Sequence, residues 1–166
     1  KSLGYSINTT NEDEIAEITN LLTKQKPLVY SFANDSAREL MIGESAALAV
    51  VNSGEVIYYK DANDNLDFVV PKEGTEVWTD CWAIPKTVAN KDAAEAWINF
   101  FLDGYVAEVN FEYLTYAIPN KEIQDLVEEP VLNPTEDILS KSETLKNLGA
   151  EADAMYSRYW KEYKAN

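Results

Sequence analysis

Apolar and polar positions follow three rhythms along the chain. Ile15, Ile18 and Leu22 recur at the spacing of one helix face. Thr10 and Asn11 stand before them, with Asp13 and Glu14 following at capping distance, and Pro27 supplies the stop. The rhythm then changes. Residues 28–32 and 46–51 are continuous apolar runs, a pattern that suits strands covered on both faces. Residues 53–60 open on Ser53-Gly54-Glu55 and predict a short helix, and residues 66–70 predict a third strand closed by Pro71. A turn at 72–74 leads into a longer extended segment, 75–84, that ends at Pro85.

Helical spacing returns after Asn90, a capping residue type, with Ala93, Trp97, Phe100 and Phe101 on one face that is expected in the core. The helical pattern continues past Gly104 to about Tyr113. Pro119, Pro130 and Pro134 punctuate a loop-rich passage. The chain closes on a helix whose Met155, Tyr156, Tyr159, Trp160 and Tyr163 are expected to pack. Strands alternating with helices predict an α/β chain with parallel crossovers. Its 166 residues accommodate one core or two small lobes sharing a hinge.

Composition narrows the function classes. Hydrophobic residues at 46% and aromatics at 11% mark a folded chain, since disordered ones are poor in aromatics. A net charge of −15 repels phosphate and anionic lipid, so a nucleic-acid partner is disfavoured. A plain solvated acidic surface is the first reading of that charge, and the same field permits a cationic ligand. With no histidine, a His-based metal site, triad or proton shuttle is excluded. No cofactor or metal is called for. Cys81 is the single cysteine, lies between bulky neighbours in the extended segment, and is expected as a buried structural thiol. No stretch approaches the ~18 consecutive apolar residues of a membrane span, so no direct membrane insertion is expected of this segment. No signal peptide is visible, and Lys1 is not an initiator Met, so the chain reads as a mature or excised piece of something longer.

Candidate chemistry gathers in the extended segment. Period-two alternation puts Trp78, Asp80 and Trp82 on one face and Val77, Thr79, Cys81 and Ala83 on the other. A carboxylate between two indoles offers an ammonium both a charge-assisted hydrogen bond and an aromatic face. Core packing of the indoles with a backbone-capping aspartate is the alternative.

Four stretches in order resemble the spermidine/putrescine-binding proteins of bacterial ABC importers. They are Gly4-Tyr5-Ser6-Ile7-Asn8-Thr9-Thr10, Val69-Val70-Pro71-Lys72-Glu73-Gly74, Trp78-Thr79-Asp80-Cys81-Trp82-Ala83-Ile84-Pro85 and Tyr116-Ala117-Ile118-Pro119-Asn120. The resemblance runs through nearly the whole chain and implies a type II periplasmic-binding-protein-like fold, two-lobed and here partial, its C-terminal portion only. Residues 1–78 and 125–166 are then expected in the C-terminal lobe and 79–124 in the N-terminal lobe, with hinge crossings between.

The resemblance also implies a non-enzymatic, extracytoplasmic role: polyamine held in an interlobe cleft and delivered to ABC permease subunits, with the protein periplasmic or on the outer face of the membrane, tethered or fused. Trp78 resembles the family's aromatic platform, Asp80 the carboxylate that pairs with a ligand ammonium, Tyr116 the cleft tyrosine, and Glu55 an acidic position facing the cleft. Around Val51 and Asn52 relatives often present a large aromatic, and this chain does not. A ferric-iron or small-anion ligand on the same fold would call for tyrosine pairs or basic clusters, yet the two arginines, Arg38 and Arg158, lie in no motif. A glycoside hydrolase would have to use Asp80 with Glu55 as its carboxylate pair. A protein-interaction module would ignore small amines.

Overall fold

The computed structural model describes residues 1–33 and 36–165, and at Pro130 the backbone alone. Its regular elements are helices: α1 (Glu12–Gln25), α2 (Ala37–Ile42), α3 (Val56–Ala62), α4 (Lys91–Phe100), α5 (Gly104–Leu114), α6 (Lys121–Gln124), α7 (Glu136–Lys141) and α8 (Ala150–Ala165). The expected caps form. Asn11 accepts from the Asp13 N–H at the start of α1, and Asn90 accepts from the Ala93 N–H at the start of α4. Pro27 sits in a 3-10 turn, Lys26–Leu28, that stops α1. Asp103 caps α5, so the two helical stretches around Gly104 are separate helices.

The chain divides into two compact units. One comprises Lys1–Asn34, Val70–Trp78 and Glu136–Asn166, and the other Asp35–Val69 and Thr79–Thr135. In the first, α1 packs on α8. Ile15 of α1 is 3% exposed, and Ala152 and Tyr163 of α8 are buried as well. Polar contacts fix the pair at both ends. The Tyr156 hydroxyl donates to the Thr9 carbonyl at 2.8 Å, Arg158 pairs with Glu12, and the Lys26 ammonium reaches the Tyr163 and Lys164 carbonyls at 2.9 and 3.0 Å. That ammonium closes carbonyls at the C-terminal end of α8, where a helix leaves them unsatisfied and its dipole favours a cation.

Expected strands at 28–32, 46–51 and 66–70 do not form ladders among the described residues. The one strand-like pairing is an isolated parallel bridge, Glu76 with Glu143. Its bonds run from the Val77 N–H to the Glu143 carbonyl at 2.9 Å and from the Glu143 N–H to the Thr75 carbonyl at 3.0 Å. Gly74 makes this approach possible: its φ is +88°, and a Cβ there would overlap the Lys141 carbonyl. A strand satisfies its backbone only through a neighbour, and the other extended runs have none here.

In the second unit α3 packs on α2, and α5 on α6. Residues 35–69 and 125–135, expected with the first body, cluster with 79–124. Direct bonds account for the first of these: the Thr115 hydroxyl donates to the Gly54 carbonyl, and the Tyr58 hydroxyl to the Tyr113 carbonyl at 2.6 Å. Two further expectations differ. Trp97 and Phe100 of α4 are more than half exposed rather than core, although Trp97 and Phe101 keep an edge-on contact at 5.2 Å. Cys81 is exposed rather than buried, because no ladder covers the segment that carries it.

Candidate ligand-binding site

Glu55 and Tyr116 are positioned by one local construction in the second unit. Residues Ser53–Glu55 form a 3-10 turn that runs directly into α3, so Glu55 stands at the mouth of that helix. Thr115 ends α5 in the left-handed region at φ 58°, where a β-branched residue is strained, and it is 4% exposed. Its N–H closes on the Phe111 carbonyl at 2.7 Å while its hydroxyl takes the Gly54 carbonyl. This turn throws the Tyr116 ring onto Gly54, so closely that a Cβ at position 54 would overlap the ring. Glycine is therefore required beside Glu55 for Tyr116 to lie where it does. The following loop is held by Asn120, which caps α6 and donates to the Leu102 carbonyl at 3.0 Å.

Glu55 is already engaged. The Arg38 guanidinium on α2 places Nη2 at 2.7 Å and Nε at 3.1 Å from Glu55 Oε2. Arg38 also lies over the Tyr58 ring, 5.1 Å from its centroid. The hydrogen bond that Arg38 donates to Glu55 raises its pKa above an already high ordinary value, so the side chain stays cationic. Burial raises the Tyr59 hydroxyl, with Glu55 adding to the effect, and Tyr116 acts on the same hydroxyl. Arg38, Glu55, Tyr59 and Tyr116 thus share one electrostatic neighbourhood.

Asp80 belongs to the same unit and is exposed, and among the described residues it makes no hydrogen bond or ion pair. Trp78 closes the 70–78 stretch of the first unit and is 44% exposed. Trp82, placed with Trp78 and Asp80 by alternation, stacks instead on Phe101 at 5.4 Å with 27° between the rings. In the second unit the side chains on offer include carboxylates, phenols and the Trp82 indole, groups suited to cations. Among the described residues no group of His, Cys, Asp and Glu is arranged to hold a metal ion. No helix of the described residues is long and apolar enough to cross a membrane.

Sequence reasoning missed Arg38, Tyr58 and Thr115. Nothing local marks Arg38 as the partner of a carboxylate on another helix. Thr115 carries a faint signal as the residue between a helix and a Tyr-Ala-Ile-Pro loop.

Comparison with known proteins gives the class. A profile of bacterial extracellular solute-binding proteins matches residues 1–137, and the chain belongs to that family. The family is one of binding proteins, not of enzymes. The spermidine/putrescine-binding periplasmic protein of Salmonella typhimurium is 36% identical over 171 aligned residues, covering 99% of this chain and 49% of that protein. The crystal structure of the spermidine/putrescine ABC transporter substrate-binding protein of Streptococcus pneumoniae superposes with a TM-score of 0.89 at 32% identity, over 99% of this chain and 52% of that one. A putative spermidine/putrescine ABC transporter protein of Listeria monocytogenes gives 0.84 at 34% identity, over 98% and 52%. The chain spans about half the length of the relatives it matches, and its fold is the corresponding part of a solute-binding fold.

Proposed function

We propose that this chain is part of an extracytoplasmic binding protein that captures a polyamine in an interlobe cleft for an ABC importer. The observation that carries the reading is similarity to polyamine-binding relatives along 99% of the chain. The net charge of −15 and the exposed carboxylate of Asp80, without an ion-pair partner among the described residues, support it. Asp80 is the proposed partner of a ligand ammonium, with Trp78 and Tyr116 covering the alkyl chain. In this reading the extended runs at 46–51 and 66–70 pair with strands from the remaining length that the relatives possess. Permease subunits, and any lipid or protein tether, follow from the family alone.

Titration calorimetry with a series of diamines and triamines, on the polypeptide as the cell makes it, tests the reading. Asp80→Asn is expected to weaken binding by about 2–5 kcal/mol, since it leaves a desolvated ammonium without its counter-charge. Trp78→Ala is expected to cost about 1–2 kcal/mol, because cation-π contact and methylene packing are individually weaker. Absence of heat with every diamine and triamine, beside clear binding of ferric iron or an oligosaccharide, would overturn it.

A further inference from the structure

Two carboxylates of the second unit differ in what they have left to offer a cation. Asp80 is exposed and without an ion-pair partner among the described residues. Glu55, beside Tyr116, already holds an internal cation. We infer that Arg38 is a specificity-determining residue: by occupying Glu55 it removes one anionic anchor near Tyr116, so the site favours ligands with two ammonium groups over ligands with three. This rests on the polyamine reading above.

Arg38 is held from two sides, by the Glu55 carboxylate and by the Tyr58 ring. Two of its nitrogens share Glu55 Oε2, so an incoming ammonium would have to replace both bonds to claim that oxygen. Its guanidinium lies over Tyr58, and the Tyr58 hydroxyl is itself tied to the Tyr113 carbonyl at 2.6 Å, which keeps the ring in place. The planar fork and the aromatic face suit arginine far better than a compact hydrated ammonium. The Arg38 and Glu55 side chains are 39% and 25% exposed, so both are partly withdrawn from the water that would weaken the pair. Tyr116 is fixed against Gly54, the residue before Glu55, so the backbone that carries the neutralised carboxylate adjoins a proposed ligand contact. A ligand end reaching this place meets a salt bridge of net charge zero. A methylene or a hydroxyl is tolerated there, whereas a third ammonium loses its water and gains no counter-charge.

The test is a charge cycle on the polypeptide as the cell makes it. Calorimetry with putrescine and spermidine gives the ratio of the two affinities for the wild type and for Arg38→Met, Arg38→Lys, Glu55→Gln and the double variant Arg38→Met/Glu55→Gln. Freeing Glu55 in Arg38→Met should shift the ratio toward spermidine by about ten-fold, the size of one close charge contact. Arg38→Lys should fall between. Glu55→Gln, which leaves a bare guanidinium, should shift the ratio the other way, and the double variant should return close to the wild type. Thermal unfolding is followed for each protein. If Arg38→Met does not fold, Glu55→Gln against the double variant carries the same test.

A wild type that binds polyamines, with a ratio that stays within about two-fold across the cycle, overturns the assignment of Arg38 and leaves the polyamine reading intact. A wild type that binds no polyamine overturns both.

Discussion

The α1–α8 pair is less apolar in composition than the extended runs at 46–51 and 66–70, yet it buries its apolar side chains and they do not. Ile15 and Tyr163 are each 3% exposed, whereas Leu48 is 89% exposed, Val50 fully exposed and Val69 79% exposed. The difference lies in where each element finds its hydrogen-bond partners. A helix closes its own N–H and C=O groups within the segment, so two amphipathic helices need only each other to bury their stripes. An extended run leaves every backbone group to be met by a neighbour, and its side chains stay uncovered until a sheet forms. The 75–77 stretch stands between these cases: one bridge to residue 143 gives it two backbone–backbone bonds, and the Thr75 N–H adds one to the Ser142 hydroxyl at 3.4 Å.

The largest break in this comparison comes from the helix pair. Ile15→Ala removes the buried side chain of α1 and is expected to destabilise the chain by about 2–5 kcal/mol, the range for a large-to-small change in a packed site. Denaturant unfolding followed by circular dichroism measures it. A loss under about 1 kcal/mol would show that α1 and α8 are not packed in solution as described.

The same contrast decides what could be read from sequence. Caps and stops are local chemistry, so Asn11, Pro27 and Asn90 marked the helices correctly. Strand character at 46–51 was legible as propensity, but a ladder is a relation between distant segments, and no local pattern says whether the neighbour is present. Cys81 failed for that reason, and the α4 aromatics failed because a helical stripe does not name the element that covers it. At the candidate site, Glu55 and Tyr116 entered through family resemblance. The construction joining them, Thr115 to Gly54 and Arg38 to Glu55, links residues far apart in sequence and has no periodic signature.

A smaller effect sharpens the middle case. Glu143 has its carboxyl held down to about 2 by hydrogen bonding to the Lys1 ammonium, at 2.6 Å, and to the Ser6 hydroxyl. Because the folded value lies below the ordinary one of 4.5, the contact contributes fully above the unfolded pKa. The contribution is lost as pH falls through the folded pKa. Melting temperature should therefore drop between pH 4.5 and about 2, and Glu143→Gln should flatten that part of the profile while lowering stability at neutral pH. Equal acid sensitivity in both proteins would mean that the first residues are not pinned to 143.

The smallest effect expected is at Val50, and its smallness is the point. A fully exposed valine contributes no burial, so Val50→Ser should change the stability of the 166-residue chain by no more than about 0.5 kcal/mol. Covering the same side chain inside a sheet would be worth about 1.5–3 kcal/mol, much of which a serine forfeits. Making the substitution both in this chain and in the polypeptide as the cell makes it separates the two environments, with urea unfolding as the measurement. A loss above about 1 kcal/mol in the 166-residue chain would show that Val50 is covered there, and the contrast between self-sufficient helices and partner-dependent extended runs would fail at its clearest residue. A negligible loss in both polypeptides would instead show that no strand is laid over this run in the longer one, and the proposed pairing of 46–51 would fall while the helix pair stood unaffected.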